Sequence, residues 1–337
     1  MHTTLLLCAG VARAVTKILV IKLGALGDVV MATPLLDAIS AHHPDAALHL
    51  LTTPAFDRLF ARWPQYTVSS FPRSGWRTNV AVIRWLRQQR FTRIYDLQAN
   101  DRTGLWCALS GAPERVGNHN RYPYTHHPTS AWRGQSHIFD RMRAVLASAG
   151  IMAIAARPQL PCSPIERARV AEWLREKGAH GQRLVALHAG ASPRWPQKVW
   201  PYFAQLAGRL RAQGFVVVWL GAAADRARNS ALVTTGDIDA TGAFSIVELA
   251  ECGRHARFAV TNDSGPMHVL SAAGIPLYGL FGPSDWRRNH ALGQGGRALA
   301  CVDFDPRFRA RACGDCLAAI SVDVLWLRLV ADGMLGR

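Results

Sequence analysis

From Lys17 onward the chain alternates short apolar runs with amphipathic stretches, and it does so twice, on either side of a proline-rich interruption. In the first half, "KILVIKL", "AALHLLTT", "YTVSSF" and "RIYDLQ" read as strands, and "DVVMATPLLDAISAHH", "FDRLFARW" and "NVAVIRWLRQQR" as helices. Strand and helix in strict turn predict a parallel sheet with helices on both faces, because a parallel neighbour is reached only through a crossover. The helix "HIFDRMRAVLASAG" closes this half, and "RPQLPCSP" then reads as a linker. The rhythm restarts with "IERARVAEWLREKG", "RLVALHAG", "KVWPYFAQLAGRLRAQG", "FVVVWLG", "DIDAT", "SIVELAECGRH", "RFAVTND", "GPMHVLSAAG" and "PLYGLFG". The expected fold class is therefore α/β, two Rossmann-like domains in tandem. The boundaries expected are an extension at 1–15, a first domain at 16–157, a linker at 158–165, a second domain at 166–320 and a terminal helix at 321–337. Ligands of such sheets sit beyond the carboxyl ends of the strands, here the cleft between the domains.

With 337 residues, 49% of them hydrophobic, the chain has enough apolar material for two cores. Its net charge of +16 points to an anionic partner without choosing among nucleic acid, lipid and phosphorylated substrate. Residues 1–15 mimic a signal peptide but lack a positive start, and they read as an extension ahead of the first strand. No apolar stretch approaches the length of a spanning helix, so a soluble or peripheral protein is expected. The cysteines form no framework; Cys313 and Cys316 make a CxxC with no second ligand pair, which reads as local structure. The aperiodic stretch 117–136 is expected to be a long loop with a binding role.

Three strand ends carry candidate chemistry. "KLGALGD" sets Gly24, Ala25 and Gly27 ahead of Asp28, a carboxylate where a phosphate loop would not want one, so that either Asp28 is only a helix cap or this is not a phosphate loop. "LHAGASPRWPQKVWP" leads from His188 through Ser192 to Lys198, a lysine able either to reach into the cleft or to remain a solvated helix-start residue. "VTNDSGPMHVLSAAG" delivers Asp263 and opens a helix at Ser264, Gly265, Pro266, Met267 and His268. Its free N–H groups suit a diphosphate, although Asp and Ser there also serve as ordinary caps. Glu248 is a candidate for the nucleoside ribose, or else a surface carboxylate.

These segments, with "YDLQAN" and "CLAAISVDVL", resemble glycosyltransferase family 9 in order from about Lys17 to Leu325. The resemblance implies the GT-B architecture, with parallel sheets facing an interdomain cleft and the donor on the C-terminal domain. It implies Asp28 as the catalytic base toward the acceptor, with Lys198 and the 264–268 helix start on the donor diphosphate. The implied reaction is inverting and metal-free, with no cofactor: heptose moves from ADP-heptose to an anionic lipopolysaccharide core. The implied location is the cytoplasmic face of a Gram-negative inner membrane, bound peripherally. By analogy with that architecture the terminal helix can cross back onto the first domain. The chain departs from the family in "GASPRWPQK", where relatives often carry a Thr or Ser pair, and in the arginine-rich "DFDPRFRARACGDC".

Two other readings stand beside this one. A family member with another nucleotide sugar, serving O-antigen, capsule or another glycoconjugate, fits the same motifs. An NAD-dependent oxidoreductase would need a GxGxxG that "GALGD" lacks. Nucleic acid is favoured by charge alone and is not expected as a partner.

Overall fold

The computed structural model describes residues 16–118, 122–129, 137–305, 307 and 316–336. Cys313 and most of the arginine-rich insert fall outside them.

The first unit is a five-stranded parallel sheet in the order β3-β2-β1-β4-β5. Its strands are β1 (Lys17–Ile21), β2 (Ala47–Thr52), β3 (Tyr66–Ser70), β4 (Arg93–Asp96) and β5 (Glu114–Val116). The connecting helices are α1 (Leu26–His42), α2 (Asp57–Phe60), α3 (Trp76–Gln89) and α4 (Asp101–Leu109), and α5 (Ile138–Ala147) follows. α1 buries Val29, Val30, Met31, Leu35, Leu36 and Ile39 in the core, each worth about 1.5–3 kcal/mol. Pro34 lies inside α1 and cannot donate to the Val30 carbonyl; the Thr33 hydroxyl does so instead, at 2.8 Å. The same Thr33 oxygen accepts from the Gln159 amide at 2.9 Å, so the proline break becomes the dock for the linker.

The linker is packed, not loose. Leu160 and Cys162 are buried against α1's core, and Arg62 donates to the Pro161 carbonyl at 3.1 Å and to Glu166 at 2.7 Å. Ser163 caps α6 (Pro164–Glu176) in a reciprocal box with Glu166, with Pro164 at its first turn.

The second unit is a six-stranded parallel sheet in the order β11-β10-β9-β6-β7-β8. The strands are β6 (Arg183–His188), β7 (Phe215–Gly221), β8 (Ile238–Thr241), β9 (Ala256–Asn262), β10 (Leu277–Phe281) and β11 (Ala298–Ala300). Around them lie α7 (Phe203–Ala212), α8 (Arg226–Leu232), α9 (Ile246–Arg254), α10 (Gly265–Ser271), α11 (Trp286–Asn289), α12 (Cys301–Phe304) and α13 (Val322–Ala331). α13 does not take the return path allowed for it. Val322, Leu325 and Leu329 join the second core with Val185, Trp200 and Tyr278, and Arg209 pairs with Asp323 at 2.6 Å.

In both sheets the strand order reverses beside the first strand of the unit, between β1 and β4 and between β6 and β9. These switch points are where open parallel sheets leave a crevice. The two crevices are brought together by α1 and α10, whose residues share one apolar core across the domains.

Candidate active site

The loop after β1 is held from two sides. Gln98, just beyond β4, accepts the Leu23 amide at 2.9 Å, and Thr53, beyond β2, donates to the Leu23 carbonyl at 3.0 Å. The loop then turns into α1, leaving Asp28 in the first turn with its side chain 28% exposed. Lys22 is buried 3.9 Å from Asp28 and donates to the Leu97 carbonyl at 3.2 Å. Burial lowers the Lys22 pKa, while Asp28 and Asp96 pull it up. Asp96 is fully buried and its pKa is raised by that burial, against hydrogen bonds from Tyr124 and the amides of Ala99 and Gln98. Tyr124, inside the stretch expected to be a binding loop, is thus a packed core residue.

A cavity of about 180 Å³ opens over Asp28, lined also by Lys22, Gln98, Asn118, Arg141 and Arg288. Arg288 comes from α11 of the second unit. Burial of Arg141, and after it the Arg288 charge, lower the Arg141 pKa.

In the second unit, Asn262 is buried and ties three segments together. Its amide donates to the carbonyls of Ala189 and Gly190 at 2.9 and 3.2 Å, and its oxygen accepts the Trp200 amide at 3.0 Å. The loop between β6 and Trp200 is fixed at both ends, and Lys198, closing a 3-10 turn at Pro196–Lys198, meets Asp263 at 2.6 Å. Ser284 donates to the same Asp263 oxygen. Next to this pair, Ser264 begins α10 in extended conformation with no side-chain cap bond, which leaves the helix's first N–H groups facing the crevice. The Ser264 hydroxyl lies 3.4 Å from His188 Nδ1, and His188 Nε2 lies 3.9 Å from Asp225. Burial holds the His188 pKa down to about 4 although Asp225 opposes it, so the ring is neutral near pH 7.

The two halves meet with little room. A Cβ on Gly27 would stand 2.4 Å from His268 Cδ2, and one on Gly265 would stand 3.0 Å from Leu26 Cδ2. Each glycine lets the helix start of one domain press on that of the other. His268 is buried between them, its pKa pushed down to about 4 by that burial against the opposing pull of Asp263 and Asp28. Its Nδ1 has no hydrogen-bond partner among the described residues.

Asp28, Lys198, Asp263, Ser264, Gly265 and His268 therefore converge, with Gly24, Ala25 and Gly27 on the loop before Asp28. Pro266 sits in α10's first turn, and Met267 is buried beneath it against the sheet. Ser192 is exposed on the rim, where its hydroxyl accepts the Arg194 amide at 3.4 Å. Glu248 is buried. It closes a capping box with Ser245 at the start of α9 and pairs with Arg169 of α6. A further carboxylate beside this cluster is Asp225, beyond β7, 3.9 Å from His188. "GAAAD" repeats the pattern of "GALGD", small residues and then an acid after a strand, and this was the signal for it.

The model of Glycosyltransferase family 9 (heptosyltransferase) matches residues 79–304, well over half of the chain. The chain belongs to glycosyltransferase family 9. Like its family, it is a glycosyltransferase. Lipopolysaccharide heptosyltransferase 2 of Escherichia coli K12 is 27% identical over 313 residues, covering 80% of this chain and 83% of the relative. The enzyme of the same name from Salmonella typhimurium is 26% identical over the same span. Among solved structures, a family 9 glycosyltransferase from Veillonella parvula superposes with a TM-score of 0.78 at 22% identity, covering 95% of this chain and 97% of the other. E. coli ADP-heptose lps heptosyltransferase II superposes with a TM-score of 0.71 at 24% identity, covering 95% and 98%. These likenesses establish the GT-B fold of the family 9 chain.

Proposed function

We propose that this family 9 enzyme transfers heptose from ADP-heptose to the inner core of lipopolysaccharide, with inversion and without a metal. The observation that carries the reading is the packing of Gly27 on His268 and of Gly265 on Leu26, which sets a base candidate and a diphosphate cradle at one point of the cleft. In the proposed step an acceptor hydroxyl oxygen bonds to the anomeric carbon while Asp28 takes its proton. The bond from that carbon to the diphosphate oxygen breaks on the opposite face, and ADP leaves with the electron pair. Lys198 and the N–H groups of α10 receive the growing charge, which is the service a metal would otherwise give. In the free protein Asp263 and Ser284 hold Lys198 ready.

An anionic acceptor is supported by the cavity over Asp28, where Arg141 and Arg288 approach from opposite domains. Heptose and lipopolysaccharide are supported by the curated relatives, both named lipopolysaccharide heptosyltransferases. Such an acceptor is lipid-anchored, which places the enzyme peripherally on the cytoplasmic face of the inner membrane; no helix among the described residues is long and apolar enough to cross it.

Calorimetric titration with ADP, GDP and UDP, with and without EDTA, tests the donor. ADP is expected to bind tightest and independently of EDTA. Preference for GDP or UDP would keep the transferase and reject ADP-heptose, favouring a family member that serves another glycoconjugate.

A further inference from the structure

The outer face of α3 and α4 presents a surface that the transfer site does not use. Between Asp57 and Asp96 the sequence has no acidic residue. α3 lays Val82 and Leu86 on the sheet and turns Arg77, Arg84 and Arg87 outward, with Arg90 just beyond its end. Large apolar side chains stand in water among these arginines: Trp76 is 71% exposed, Val80 58% and, on α4, Leu105 48%. Single exposed apolar residues are ordinary, but a tryptophan and two aliphatics amid arginines make an interfacial composition.

The face is also rigid and well placed. Trp106 of α4 donates to Asn79 of α3 at 3.1 Å, and Arg87 donates to the Leu109 carbonyl at 2.8 Å, so the two helices form one plate. At its edge Arg73 Nη1 lies 3.9 Å from where a Cβ on Gly24 would stand, and Arg102 of α4 donates to the Arg73 carbonyl. The plate therefore borders the loop that carries Asp28.

We propose that this face docks on an anionic bilayer, Trp76 and Val80 entering the headgroup boundary and the arginines meeting lipid phosphates. The inference rests on the reading that the acceptor is lipid-anchored, and it names the side from which that acceptor reaches Asp28. Charge complementarity favours lipid: four arginines on and just beyond α3, with no carboxylate among them, fit a surface of negative charge, and an exposed indole beside them fits its apolar boundary.

The test is co-sedimentation of the full chain with phosphatidylglycerol vesicles and with phosphatidylcholine vesicles, at low and high salt. Binding to phosphatidylglycerol alone, weakened by salt, is expected. The double variant Arg84→Glu/Arg87→Glu is expected to bind about tenfold more weakly or worse, each arginine near such a surface being worth about 1 kcal/mol. Trp76→Ser weakens binding as well, and Arg167→Glu/Arg175→Glu on α6, a matched change of charge elsewhere, leaves the vesicle affinity nearly intact. Transfer to a delipidated, water-soluble core acceptor should be unchanged in all three variants, which also shows that they fold. Wild-type protein that ignores phosphatidylglycerol vesicles, or a double variant that sediments like the wild type, overturns the proposal. Failure of wild-type transfer to the soluble acceptor would count against the proposed activity instead, and the vesicle result would still decide the docking face.

Discussion

Lys22 and Asp28 both line the cavity, but Asp28 is the more exposed of the two, while Lys22 is buried and holds the Leu97 carbonyl. Removing the carboxylate should therefore change chemistry more than shape. On the donor side, Lys198→Ala deletes the cation poised over α10's start, and ADP affinity by calorimetry is expected to fall about 10- to 100-fold, the value of a charge-assisted phosphate contact. Unchanged ADP affinity would show that the lysine serves only Asp263. Asp28, Lys198 and Asp263 were legible in the sequence because each lies at a strand-to-helix turn, where local pattern fixes position. For Glu248 the sequence also carries "SIVE", the spacing of a capping box, and the structure shows the carboxylate turned back onto its own helix. The neutral state of His188 depends on its burial in the folded sheet, which no local pattern shows.

At the level of elements, the cleft is set by α1 against α10. Gly27→Ala would drive a methyl to 2.4 Å from His268 Cδ2, and overpacking of this kind costs about 1–3 kcal/mol. The expected outcome is a lower thermal midpoint together with loss of transfer, while Gly208→Ala in α7, where the nearest neighbour is the tip of Arg211 at 3.8 Å, leaves both nearly unchanged. Equal effects of the two substitutions would mean that the α1–α10 contact is not special. The strands and long helices were legible from periodicity, but α4 was not, because the apolar residues of "DRTGLWCAL" run consecutively instead of at helical spacing, and the helix declares itself only through the Asn100–Thr103 cap. β5 and β11, at three residues each, are too short to show a period. α3 begins at Trp76, earlier than its apolar spacing suggests, since Gly75, with a φ of 111°, starts it without a capping side chain.

For the whole molecule, the domains are joined by a packed segment as well as by the helix contact. Arg62→Ala removes bonds to Pro161 and Glu166 at once and is expected to lower stability by about 1–2 kcal/mol in urea denaturation; no change would show the brace to be idle. pH acts on the same scale. The folded-state pKa values of His188 and His268 lie near 4, below the ordinary 6.5, so between these values the unfolded chain binds more protons. Stability therefore falls as pH drops from about 6.5 toward 4, by up to about 1.4 kcal/mol per pH unit for each histidine. The raised pKa of Asp96 acts in the opposite sense, so the difference in slope between wild type and His188→Asn isolates one histidine; identical slopes would contradict the assignment. That two domains exist was readable from the restarted rhythm at the linker. How closely their helix starts press together was not, because the two glycines act on partners more than two hundred residues away.

The central claim is that Asp28 removes the acceptor proton in heptosyl transfer. The direct measurement is single-turnover transfer from ADP-heptose to a lipopolysaccharide inner-core acceptor, comparing wild type with Asp28→Asn at saturating donor, with ADP affinity measured on both proteins. The account predicts turnover by the wild type and a rate about 10²- to 10⁴-fold lower in the variant at unchanged ADP affinity. Near wild-type transfer by Asp28→Asn with ADP still bound would contradict it.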